Sequence, residues 1–167
     1  NFQRGRKDAE LNDFLAQDGV TCIEGDLTQA ATYQRFPEAI NQVYHLAAMV
    51  GVKHCMESPD QVLETNLRMT QELVNWLKTL PHKPRLLFAS TSEIYAGGFS
   101  QNILPIPTPE DIPVCIEDLT NPRLSYAVSK LASEMWVRFH AAQHYAFQII
   151  RFHNIYGPRM GFAHVIP

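Results

Sequence analysis

With 167 residues, the chain is long enough to bury one sizeable core and to form a single domain, 1–167. Hydrophobic residues make up 46% and charged residues 19%, with a formal net charge of −3, so no basic excess points to nucleic acid. The longest apolar runs, such as "VYHLAAMVGV", are too short for a membrane-spanning helix.

In chain order, "KDAELNDFLAQ" spaces Leu11, Phe14 and Leu15 as a helix does, and Asp18 and Gly19 stop it. "VTCIEGD" predicts a short strand ending at Gly25 and Asp26. "TQAATYQRF" predicts a modest helix, and "NQVYHLAA" a buried strand. The clearest helix begins at Ser58, an N-cap candidate, with Pro59 suited to its first turn. Val62, Leu63, Leu67, Leu73, Val74 and Leu77 make its apolar face, and Pro81 ends it. "RLLFAS" is a continuous apolar strand. Residues 97–123 follow with two glycines and five prolines, a long loop of the kind used to build sites. "LSYAVSKLASEMWVRFHAAQ" is a second long helix and "AFQIIRF" a last strand. Unbroken apolar strands alternating with helices predict an α/β fold, a parallel sheet covered on both faces.

One helix and two strand ends carry polar groups. Tyr126 and Lys130 lie four apart on a helix and share a face, and a nearby ammonium favours a phenolate, turning a poor base into a usable one. "RLLFA" runs into Ser90, Thr91, Ser92 and Glu93; on extended backbone Thr91 and Glu93 project to the same side. The last strand ends in "RFHNIYGPRM", from which Asn154 and Arg159 emerge. Ligands of open parallel sheets sit beyond the carboxyl ends of the strands, so these groups converge on one region.

In this order and spacing the motifs resemble the extended short-chain dehydrogenase/reductase family, specifically its NAD-dependent nucleotide-sugar epimerases, dehydratases and decarboxylases. The resemblance covers almost the whole chain. "GDLT" is similar to the family's acidic turn after its third strand, and "HLAA" to the segment after its fourth. "ETNLRMT" is similar to its mid-helix Asn motif, "STSEIY" to its Ser/Thr motif, "SYAVSK" to its Tyr/Lys motif, and "RFHNIYGPRM" to its R-x-x-N-x-Y-G-P-R signature.

The resemblance implies a doubly wound, Rossmann-like domain. It makes Asp26, Leu27, Ala47, Ala48, Asn66, Tyr126 and Lys130 the NAD contacts. Tyr126 would take a proton from a sugar hydroxyl, usually at C4, Lys130 would hold the nicotinamide ribose, and Thr91 would bond the reacting oxygen. Ser92, Asn154 and Arg159 would meet the nucleotide sugar, and Arg123, just before the catalytic helix, would meet an anionic substrate. Glu93, two residues past Thr91, resembles the acid of GDP-mannose 4,6-dehydratases and UDP-glucuronate decarboxylases, where it serves proton transfer or carboxylate loss at C5. A glucose dehydratase would need Asp where Ser92 stands. A homodimer through a bundle that includes the Tyr/Lys helix is likewise implied only by resemblance.

No G-x-x-G-x-x-G occurs. The family's glycine-rich unit, with strands 1 and 2, and its smaller C-terminal substrate domain are therefore expected to lie outside this sequence. The sheet as given is expected to be incomplete, a fragment with weak or no NAD binding. Two other readings compete with the enzyme: a non-catalytic dinucleotide sensor, which tends to lose the Tyr/Lys pair, and a steroid- or flavonoid-type reductase, which "NIYGPRM" disfavours.

The remaining candidates have plainer readings. Cys22, Cys55 and Cys115 form no C-x-x-C, and free thiols with no leader segment fit the cytoplasm. His140 and His144 sit at helical spacing but lack a third ligand, so no metal site is expected. His45 either fills a semi-buried site or lines the cofactor. Lys53 and His54 read as loop, and Trp76 and Trp136 as helix packing.

Overall fold

The structure, a computed structural model, describes residues 8–141 and 144–157. The elements are α1 (Ala9–Leu15), α2 (Ala30–Tyr33), β1 (Gln42–His45), α3 (Val52–Glu57), α4 (Pro59–Thr79) and β2 (Arg85–Thr91), then a 3-10 turn (Ser92–Tyr95), α5 (Ala96–Ser100), α6 (Leu124–Ala141) and β3 (Phe147–Phe152). The strands form a parallel sheet in the order β1-β2-β3. His45 pairs with Phe88, and Thr91 with Phe152, so all three carboxyl ends open on one edge. Each parallel connection crosses over through helices, α3 and α4 for the first and α5 and α6 for the second.

The core lies between the sheet and the long helices. Leu86 and Phe88, on one face of β2, meet Leu73, Val74 and Leu77 of α4 and Val137 and Ala141 of α6, all buried. Alternation along the strand puts Leu87 and Ala89 on the opposite face, where they are only half-buried. Tyr44, paired with Leu87, is 61% exposed on that face. Among the described residues the long helices therefore cover one face of the sheet, where the apolar runs predict two covered faces.

α1 is capped as its sequence asks: the Leu11 N–H donates to Asp8 Oδ1 at 2.9 Å, and Gly19 beyond it takes φ +83. Ser58 and Pro59 start α4, although Ser58 makes no side-chain capping bond. The buried stripe of α4 differs from the expected one. Leu63 and Leu67 are only half-buried, whereas polar Asn66 and Thr70 are buried against α6.

Two expected strands come out differently. "VTCIEGD" forms no strand, since no described segment pairs with it, and apolar pattern alone cannot satisfy a strand's N–H and C=O groups. "NQVYHLAA" becomes the four-residue edge strand β1 rather than a buried one. Beside β1 runs a groove of about 280 Å3, lined by Leu27, Tyr33, Val43, His45, Leu73 and Trp76 among others. Lys53 and His54, expected as loop, lie exposed on the short helix α3. Among the described residues no helix is long and apolar enough to cross a membrane.

Candidate active site

At the end of β2 the chain turns at once. Thr91 caps the 3-10 turn, its Oγ1 accepting the Glu93 N–H at 3.2 Å. The backbone is therefore not extended past Thr91, and the expected projection of Thr91 and Glu93 to one side does not hold. Thr91 is buried, Ser92 half-buried and Glu93 exposed at the mouth of the sheet. Partial enclosure of the Glu93 carboxyl raises its pKa, while the Arg123 guanidinium opposes the rise. Glu93 and Arg123, distant in sequence, are thus within electrostatic reach of each other. Nearby, Ser90 Oγ is buried without a hydrogen-bond partner among the described residues.

α6 presents the Tyr/Lys pair from its first half, with Tyr126 half-buried and Lys130 3% exposed. The Lys130 ammonium stands 4.2 Å from the centroid of the Phe88 ring, a cation–π contact to the central strand. Burial pulls its pKa down to about 8, and the Glu134 carboxylate pulls the other way. His45 stacks on the same Phe88 ring, centroids 5.4 Å apart. Its pKa falls to about 3, through burial first and the Lys130 charge second, so the imidazole is neutral at ordinary pH. His45, Phe88 and Lys130 thus form one cluster beneath the end of β2.

The expected cofactor-side residues divide into two groups. Asp26 is exposed, and its carboxylate accepts the Thr28 N–H at 2.9 Å and the Thr28 hydroxyl at 2.8 Å, which holds it ionised with a lowered pKa. Ala47 and Ala48, past the end of β1, are half-buried, as is Leu27 in the groove. Asn66 instead faces the protein. Its Oδ1 accepts the Met49 N–H at 2.7 Å, and its Nδ2 donates to Met49 O at 3.1 Å and to Ser129 Oγ at 3.0 Å. One buried amide thus ties the segment after β1 to the helix of Tyr126 and Lys130. Thr70 repeats the link one turn later with Ser133, at 3.0 Å.

Asn154 lies exposed just past β3, and Arg159 falls outside the described residues. α6 ends at Ala141, so His144 is no longer on the helix with His140, which instead meets Lys78 at 2.7 Å. No group of metal-ligating side chains occurs among the described residues. Trp76 packs on Tyr33 and Phe36, and Trp136 on His140.

Sequence reasoning missed an ion pair between buried Glu134 and half-buried Arg151. Arg151 Nε donates to Glu134 Oε1 at 3.0 Å and Nη2 to Oε2 at 2.8 Å. Its Nη1 reaches Tyr95 Oη at 2.7 Å and the Glu110 carbonyl at 3.1 Å. Two signals were present: a carboxylate one helical turn past Lys130, and an arginine inside the apolar strand "AFQIIRF".

The comparisons with known proteins bear on the family and the fold. The NAD dependent epimerase/dehydratase family matches residues 2–167. A UDP-N-acetyl-alpha-D-glucosaminuronate decarboxylase of Bacillus cytotoxicus is 37% identical over 136 residues, 78% of this chain and 40% of that protein. UDP-glucuronate 4-epimerase 3 of Arabidopsis thaliana is 30% identical over 150 residues, 86% of this chain and 32% of that protein. Among solved structures, a dTDP-glucose 4,6-dehydratase from Streptomyces venezuelae with NAD bound superposes with a TM-score of 0.75 at 25% identity, covering 95% of this chain and 46% of the other. The chain thus spans less than half the length of these proteins, with a Rossmann-like parallel sheet that is part of theirs. By the match across nearly all of its residues, the chain belongs to the NAD dependent epimerase/dehydratase family.

Proposed function

We propose that the chain is part of an enzyme that modifies a nucleotide sugar with NAD, beginning with oxidation at C4. The observation that carries this reading is Lys130: a buried ammonium on the helix of Tyr126, set over Phe88, with no hydrogen-bond acceptor among the described residues. A charge held in this way is suited to a ligand's hydroxyls and to a neighbouring phenolate. The residues present fit NAD in this respect, and the ionised, exposed carboxylate of Asp26 is free to accept from an adenine amine. NAD, when bound, supplies the acceptor for the hydride leaving the sugar carbon.

Tyr126 takes the proton of the C4 hydroxyl, with Lys130 stabilising the phenolate form. The Thr91 hydroxyl donates to the reacting oxygen while its own oxygen is held by the Glu93 N–H. Once C4 is a ketone, the C5 position is activated, and Glu93 serves there as the proton-transferring group. Its raised pKa suits an acid/base role nearer neutrality. Ser92, Arg123, Asn154 and Arg159 hold the sugar and its phosphates. Asn66 acts one step back, by fixing the cofactor-side segment through Met49. Leu27, Ala47 and Ala48 line the cofactor.

Glu93 favours dehydration or decarboxylation over plain epimerisation, in line with the decarboxylase among the relatives. Ser92, where a glucose dehydratase would carry Asp, argues against that activity. The retained Tyr126 and Lys130 disfavour a non-catalytic sensor. A homodimer through α6 is supported by exposed Met135 and Phe139, four apart on that helix and 50% and 74% accessible. Three free cysteines favour a cytoplasmic setting.

The test is incubation of the full protein with NAD and a panel of UDP-, GDP-, dTDP- and CDP-sugars, read by mass spectrometry and NMR of the products. A sugar altered at C4, C5 or C6 is expected. NAD binding with no turnover of any sugar would favour the sensor reading instead.

A further inference from the structure

The Glu134–Arg151 pair has no part in the chemistry just proposed, yet it joins the helix of Tyr126 and Lys130 to the turn that follows Thr91. Glu134 is 2% exposed and lies one helical turn past Lys130, on the same face of α6. Arg151 lies on β3 opposite Ser90, one residue before the Thr91–Phe152 pair. Its guanidinium uses all three nitrogens, two on Glu134 and the third on Tyr95 Oη and the Glu110 carbonyl. One planar group thereby joins α6, β3, the turn that follows Thr91, and the loop beyond α5. It also stacks on Tyr95, 5.2 Å from the ring centroid.

We infer that Glu134 and Arg151 are positioning residues for the proposed active site. Glu134 sets its carboxylate one helical turn behind the Lys130 ammonium without a hydrogen bond to it, and Arg151 locks the Thr91–Tyr95 segment onto the same helix. An ion pair with a buried carboxylate is a poor way to gain stability, since well-packed apolar side chains often do as well, so its retention beside Lys130 fits a role in the site. The arrangement also explains why the pair is an arginine: a lysine has no planar fork with which to hold the carboxylate twice and still reach Tyr95.

The groups around Lys130 set the sign of the effect. Tyr126 and Glu134 belong to its own helix. β1 brings His45, β3 brings Arg151 through Glu134, and the 3-10 turn brings Tyr95. β2 presents the Phe88 ring, and α4 meets the same helix through the uncharged Asn66 on Ser129 and Thr70 on Ser133. Among the groups named, Glu134 is the one that raises the Lys130 pKa.

The inference rests on the proposed function, so its test has one arm that does not need turnover. In the full protein labelled with 13Cε-lysine, the Lys130 titration is followed by NMR. Glu134→Gln is expected to lower the Lys130 midpoint by about one pH unit, because the opposing charge is lost while the shape remains. If that variant fails to fold, Glu134→Asp, which draws the carboxylate back, replaces it with the same expected direction. Arg151→Lys keeps the charge but not the fork. It is expected to leave the midpoint within about half a unit and to cut kcat by about 10-fold or more, with KM for the sugar changed little. A Lys130 midpoint unmoved or raised in the Glu134 variant overturns the role of Glu134, and full kcat in Arg151→Lys overturns the locking role. If no sugar turns over even in the parent protein, the functional reading fails, and the NMR arm still decides the role of Glu134.

Discussion

Lys130 and His45 share the Phe88 ring, and burial lowers the pKa of both, with the Lys130 charge adding to the effect on His45. The folded pKa of His45, about 3, lies below its usual 6.5, so as pH falls through this range the unfolded chain takes up a proton that the folded chain refuses. Stability should therefore decline from about pH 6.5 downward, by an amount on the order of a few kcal/mol. His45→Gln should flatten that slope in urea unfolding followed between pH 4 and 7, read against the range in which His45 titrates. Lys130 gives the same sign on the alkaline side: its folded pKa of about 8 lies under its usual 10.5, so stability rises between those values. Glu93 is tested at the same scale. Glu93→Gln should slow C5 chemistry by about 10²-fold or more while C4 oxidation continues, visible as accumulation of a 4-keto sugar. Loss of neither step would remove Glu93 from the proposed mechanism.

At the scale of elements, α4 and α6 are joined by polar contacts that an apolar reading of the helices does not reveal. The Asn66 amide bonds both backbone groups of Met49 and meets Ser129. Asn66→Ala removes the partner of these half-buried groups, and a loss of about 1–3 kcal/mol in urea unfolding is expected, with the m-value unchanged. The strong helices, the central strand and the Tyr/Lys pair were legible because periodicity and spacing are local properties. Segment 20–26 and the edge position of β1 were not, because strand formation depends on a neighbour that pattern cannot supply. The 3-10 turn at Ser92 escaped for a related reason: the capping bond from the Glu93 N–H to Thr91 ends the strand, and no periodicity announces it. Gly97 marks a further close approach, since a Cβ there would run into the Cys115 carbonyl. Gly97→Ala should loosen the loop beyond α5 by about 1–3 kcal/mol and quicken proteolysis within residues 101–123.

For the whole molecule, Thr91 ends the central strand, Asn154 follows β3, and α6 sets Lys130 over Phe88 of the same three-stranded sheet. The groove beside β1, with Leu27 on its wall, marks the side on which the described sheet is open. We expect the 167-residue chain alone to bind NAD weakly or not at all, because the sequence holds no glycine-rich phosphate turn. Micromolar binding by that chain in calorimetry would contradict this expectation. The family-level fold was readable from motif order, whereas the Glu134–Arg151 pair required coordinates, since its partners come from four separate segments. The central claim is that Tyr126 is the base of a nucleotide-sugar oxidation, and its most direct measurement compares the full protein with Tyr126→Phe on the sugar that the panel selects. The account predicts turnover lower by about 10²–10⁴-fold with NAD affinity retained; unchanged turnover would contradict it.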